Sequence, residues 1–135
     1  MPLVHHEQCF GCGRTNLFGL MLEVERVEDG SVAGRCFIKQ DHQGAVRGFA
    51  HDGIVATALG EAMSLACGPS TLAQAVTVGY IGAAAVGEFL YLEARVEEDV
   101  DGMLTATATA TAAAGAQDGG EVVAKARGTY SAAGG

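Results

Sequence analysis

Two groups of residues in this chain have the types and spacing that chemistry needs. The first is Cys9-x-x-Cys12, close to the start. Such a thiol pair suggests zinc or redox chemistry. A structural zinc site takes four ligands, usually as two close pairs. Cys36 and Cys67 stand alone in the chain, and His5 and His6 complete a set only with difficulty. The expectation is a buried thiol pair in a tight loop, with no metal site. The second group is His51, Asp52, Gly53, Thr57, Gly60, Glu61 and Ser64. Glu61 lies in a largely apolar stretch. A carboxylate there is expected to be desolvated, with its pKa raised and its basicity increased, as a general base requires. The same place suits a structural pair with an arginine at the subunit interface, such as Arg47 or Arg95. Thr57 and Ser64 can orient water or hold a ligand, or can bond back to a helix carbonyl. Ser64 has no nucleophile-elbow context.

The element that must position the second group is a helix over 53–67. Asp52 is a candidate N-cap and Gly68-Pro69 a stop. At 100° per residue, Gly53, Thr57, Gly60, Glu61 and Ser64 share an arc about 100° wide. The other ten residues, from Ile54 to Cys67, are all apolar. A helix apolar around most of its circumference is buried. Its polar stripe must then face a ligand, a cavity or a subunit interface.

The remaining elements are strands. Residues 1–19 read as an entry loop punctuated by Gly11, Gly13, Asn16 and Gly19. Residues 20–27 and 31–39 read as a hairpin around Glu28-Asp29-Gly30, and 40–52 as a loop in which His42 can line the site but is more readily a solvated histidine. After the helix come strands over 74–81, 88–98, 103–114 and 121–131. In the second, Leu90, Leu92, Ala94 and Val96 alternate with Phe89, Tyr91, Glu93 and Arg95. In the third, threonines alternate with alanines, a strand pattern despite its low complexity. Residues 132–135 read as a frayed tail. Short turns between successive strands make them antiparallel, and one helix covers one face of the sheet. The fold class is α+β, an antiparallel sheet wrapped around one central helix. The 135 residues suit a single domain.

Composition narrows the function classes. Eight Lys and Arg against 16 Asp and Glu leave a net charge of −8. Phosphate binding needs a basic face, so nucleic acid is not expected as a partner. No apolar run approaches the ~18 residues of a membrane span. The first residues have neither the basic flank nor the apolar stretch of a signal peptide, and a cytoplasmic location is expected.

Three segments then resemble the hot-dog-fold acyl-CoA thioesterases, in particular the phenylacetate-degradation type. They are Cys9-Phe10-Gly11-Cys12-Gly13 with Asn16 and Gly19-Leu20; His51-Asp52-Gly53-Ile54 with Leu59-Gly60-Glu61-Ala62-Met63; and Tyr80, Val86-Gly87-Glu88 and Ala124-Lys125-Ala126-Arg127-Gly128-Thr129-Tyr130. They follow the family's order over nearly the whole chain. The resemblance implies a hot-dog dimer with its sheets joined edge to edge, often paired into tetramers. It implies an active site at the dimer interface, near the start of the central helix. Two departures touch the chemistry. Asp52 stands where the family usually has glycine, and Gly60 stands where the usual catalytic acid lies, nine residues after His51.

On that resemblance, the expected function is hydrolysis of an acyl-CoA or acyl-carrier-protein thioester. The helix start would polarise the carbonyl through Gly53 or the peptide at Asp52. Glu61 would be the base, aided by Asp52. His51, Gly53, Thr57, Gly60 and Ser64 would line the substrate. Arg14, Lys39, Arg47, Lys125 and Arg127 are the cations available for phosphate groups. No cofactor is expected beyond coenzyme A as part of the substrate. The alternative function is a non-catalytic acyl-thioester-binding protein, motivated by Gly60.

Overall fold

The computed structural model describes residues 2–112 and 120–132. Six strands form one antiparallel sheet: β1 (Glu23–Glu28), β2 (Ser31–Phe37), β3 (Thr71–Tyr80), β4 (Phe89–Val100), β5 (Met103–Ala112) and β6 (Glu121–Ala132). The spatial order is β1-β2-β4-β5-β6-β3. The one α-helix among the described residues, α1 (Asp52–Cys67), lies against β2, β3, β4, β5 and β6. This is the wrapped-helix arrangement that the alternation predicts.

Periodicity explains why the core sits where it does. Successive strand residues face opposite sides of a sheet. Leu90, Leu92 and Ala94 on β4, and Ala106, Ala108 and Ala110 on β5, are buried against the helix. Tyr91, Glu93 and Arg95 point to solvent. On α1, Val55, Ala58, Leu59, Ala62, Met63, Leu65 and Ala66 are buried. Burying each leucine or methionine stabilises the fold by about 1.5–3 kcal/mol. The alanines let α1 approach the sheet closely.

Several boundaries differ from the expected ones. The first strand begins at Glu23 rather than residue 20, because Met21 adopts φ +50°, which a strand cannot carry. Leu20 and Leu22 bond instead to the carbonyls of Phe10 and Gly11 in the entry loop. The third strand starts earlier, at Thr71, directly after the Gly68 turn. The loop before α1 contains a short 3-10 turn, Gln40–His42, and His42 is buried, not solvated. The β5 expectation beyond residue 112 and most of the tail lie outside the described residues.

At one edge of the sheet, β3 pairs only with β6. Leu72, Val76 and Tyr80 on it are exposed. Among the described residues, no helix is long and apolar enough to cross a membrane.

Candidate functional site

The start of α1 is built differently from its expected form. His51, not Asp52, is the N-cap: its Nδ1 accepts the Gly53 N–H at 2.8 Å. Asp52 is the first helical residue. The Ile54 N–H is also taken, by the His51 carbonyl at 2.9 Å. So the Gly53 donor expected to polarise a carbonyl is already used. The Asp52 N–H makes no hydrogen bond among the described residues. It lies at the positive end of the helix dipole.

The surroundings hold this helix start in place. His51 N–H bonds the His42 carbonyl at 2.8 Å, and Ala50 N–H bonds the Ala84 carbonyl at 2.8 Å. Tyr80 reaches over from β3 and donates its hydroxyl to the Asp52 carbonyl at 2.8 Å. Burial, together with the Asp52 charge, raises the Tyr80 pKa, so this donor keeps its proton. Beside them lies a cavity of about 350 Å³, walled by Ala45, Val46, Phe49, Ala50 and Ala83, with His51 and Asp52 at its polar end. That volume is at the lower end of the range for small-ligand sites, about 300–1,000 Å³. Arg47 is exposed on the same loop. Of the other candidate cations, Lys39 bonds the Leu17 carbonyl and Arg14 pairs with Glu23. Lys125 and Arg127 lie exposed on β6.

Glu61 is elsewhere. It follows Asp52 by nine residues, so the two are about 13 Å apart along the helix axis. Within one chain they cannot act on the same carbonyl. Glu61 faces the entry loop, and within one chain it pairs with neither Arg47 nor Arg95. Its Oε2 is 2.7 Å from His5 Nδ1 and 3.3 Å from Cys9 Sγ. Burial pushes the carboxyl upward, but hydrogen bonds from His5, Cys12 and Cys9 outweigh it, and its pKa lies below the usual carboxylate value. This reverses the expected direction. The His5 imidazole is raised by the same partner.

The cysteine pair is part of this cluster. His5 Nδ1 lies 3.7 Å from Cys9 Sγ and 3.4 Å from Cys12 Sγ. The His5 backbone N–H donates to Cys12 Sγ at 3.1 Å. Burial raises the Cys12 thiol. The pair lies in the entry loop as expected, with Cys12 buried and Cys9 half-buried, and it has company: His5, Cys9, Cys12 and Glu61 bring four donor atoms within 4.8 Å of one another. His6 is outside the cluster and exposed.

The rest of the polar stripe divides between these places. Thr57 bonds back to the Gly53 carbonyl at 2.7 Å. Ser64 Oγ lies 2.9 Å from His5 Nε2. Gly60 has room for a Cβ, which would meet Tyr130 Oη at 3.9 Å, an ordinary van der Waals contact. Tyr130 donates to the Gly60 carbonyl at 2.9 Å. The two tyrosines are the residues that sequence reasoning passed over as parts of the site. Their places in the resembling strands were the only signal.

No protein-family model and no curated protein matches the sequence. Solved structures do match in shape. A thioesterase superfamily protein aligns at TM-score 0.80 and 20% identity, over 92% of this chain and 63% of that one. The Escherichia coli PaaI protein from the phenylacetic acid degradation operon aligns at 0.75 and 17%, over 86% and 82%. A hypothetical thioesterase from Streptococcus pneumoniae, solved with coenzyme A, aligns at 0.71 and 19%, over 84% and 86%. The chain thus spans less than two thirds of the first of these. What all of them share with it is the hot-dog fold: an antiparallel sheet wrapped around one central helix.

Proposed function

We propose that this protein hydrolyses acyl-CoA thioesters at the start of α1, with Asp52 as the reacting carboxylate. The observation that carries the reading is the pairing of a free Asp52 N–H with an apolar cavity at one helix start. The solved relative with coenzyme A supports coenzyme A as the carrier.

The chemistry follows from the geometry. The acyl group enters the cavity, and the thioester carbonyl oxygen accepts the Asp52 N–H. Helix dipole and N–H together favour negative charge on that oxygen. The Asp52 carboxylate takes a proton from water as the water oxygen attacks the carbonyl carbon. The carboxylate is then neutral while the oxyanion is charged, so the two negative charges never coexist. The carbon–sulfur bond breaks, the Asp52 proton passes to sulfur, and a carboxylic acid and free coenzyme A leave. Arg47, exposed on the loop that walls the cavity, would meet a phosphate of the carrier. In this reading Glu61 holds the entry loop and does not touch the thioester.

Release of free thiol from short, long and aromatic acyl-CoAs tests this. Wild type should turn over, and Asp52→Asn should not. Turnover that survives in Asp52→Asn but collapses in folded Glu61→Gln would move the chemistry to Glu61. The second reading is an acyl-thioester binder without turnover, favoured by the missing carboxylate at Gly60. Tight acyl-CoA binding with no thiol release from wild type would establish it.

A further inference from the structure

We infer that His5, Cys9, Cys12 and Glu61 form a tetrahedral zinc site that fastens the entry loop to the third turn of α1. The donor set comes first. Two thiols, an imidazole nitrogen and a carboxylate oxygen are all common zinc ligands, and four is the number a structural site takes. Their donor atoms lie within 4.8 Å of one another. With zinc bonds of about 2.0–2.3 Å, the ligand atoms of a tetrahedron stand roughly 3.3–3.8 Å apart. The existing separations are 3.4 Å for Cys12 to His5, 3.7 Å for Cys9 to His5 and 3.3 Å for Cys9 to Glu61. Only the 2.7 Å hydrogen bond from His5 to Glu61 is too short. A cation between the two atoms replaces that bond and opens the pair by less than 1 Å on the same estimate.

The surroundings meet what a bound metal demands. A ligating histidine donates its other ring N–H to a fixed acceptor, and His5 Nε2 has Ser64 Oγ at 2.9 Å. The His5 backbone N–H already points at Cys12 Sγ, as a thiolate would require. The loop is shaped to this purpose at Gly11, where any Cβ would overlap the Glu61 carboxylate. Between residues 2 and 22 there is no helix or strand. A disulfide between Cys9 and Cys12 would use two of these groups and leave the histidine and the carboxylate unexplained. The site is about 13 Å along α1 from Asp52 and stands independently of the catalytic reading.

The test uses the full chain. Purified without chelator, it should carry one zinc per chain by elemental analysis. Stripped protein titrated with Co2+ should bind one equivalent, with the strong visible bands of tetrahedral cobalt and a thiolate-to-cobalt charge-transfer band, and Zn2+ should displace it. Cys12→Ser should weaken the charge-transfer band. Ser64→Ala should lower affinity about 10–100-fold with the band positions unchanged. If the variants fail to fold, the cobalt spectrum of wild type decides. Weak octahedral bands, no uptake by reduced protein, or a Cys9–Cys12 disulfide in metal-free purified protein would each overturn the assignment.

Discussion

The Glu61 carboxylate and the His5 ring, 56 positions apart in the chain, meet at 2.7 Å, with only 13% and 15% of their side chains exposed. This contact joins the entry loop to the central helix. Hydrogen bonds to charged groups contribute about 1.5–3 kcal/mol each. In metal-free protein, Glu61→Ala should therefore lower the unfolding free energy in urea by about 1.5–3 kcal/mol, with the slope against urea unchanged. A loss under 0.5 kcal/mol would mean that this contact does not hold the entry loop.

Asp52 is exposed at the first position of α1 and carries no packing duty. Asp52→Asn should leave the far-UV circular dichroism and melting temperature near those of wild type. It should lower kcat by about 10²–10⁴, the usual contribution of a general base. A parallel fall in stability would mark the carboxylate as a structural element of the helix start.

Gly60 sits in mid-helix with room for a side chain. Glycine costs a helix interior about 0.5–1 kcal/mol relative to alanine. Gly60→Ala should raise stability by about that amount, seen as a higher melting temperature. Gly60→Asp tests a different point: increased thiol release would mean that the pocket keeps the geometry of relatives with an acid there.

His42 is buried, with its Nδ1 accepting the Lys39 N–H at 3.1 Å. Burial, then the Lys39 charge, lowers its pKa below the ordinary 6.5, while Asp41 and the Phe18 backbone oppose this in part. The unfolded chain therefore binds the proton more tightly than the folded one. Stability from this group is complete above pH 6.5 and falls as the pH drops below it, until the folded value is passed. His42→Asn keeps an acceptor for Lys39 and removes the titration. Its melting temperature should depend less on pH between 6.5 and 5 than that of wild type. Equal slopes would place the acid sensitivity elsewhere.

The exposed β3 edge predicts self-association. An open edge bearing Leu72 and Val76 invites pairing with a second copy. Light scattering at micromolar concentration should give at least twice the chain mass. Val76→Lys should lower it if the two sheets join there. A monomeric wild type would contradict the pairing.

The sheet and helix were legible in the residues because their signals are local. Leu90, Leu92 and Ala94 repeat every second position, and seven buried residues of α1 follow the helical period. The strands and the buried helix need no knowledge of distant chain. The strand ends were less legible, since one backbone angle at Met21 decided where β1 begins. The site depended on the tertiary structure almost throughout. The wheel places Glu61 on a polar stripe, but a helix does not say what its stripe will meet. The entry loop has no period, so its path, and with it the meeting of His5, Cys9 and Cys12 with Glu61, is set by packing against the finished core. In the same way His51 takes the cap that Asp52 was expected to take. A loop held by the His42 and Ala84 carbonyls aims the imidazole at the Gly53 N–H and leaves the Asp52 N–H free.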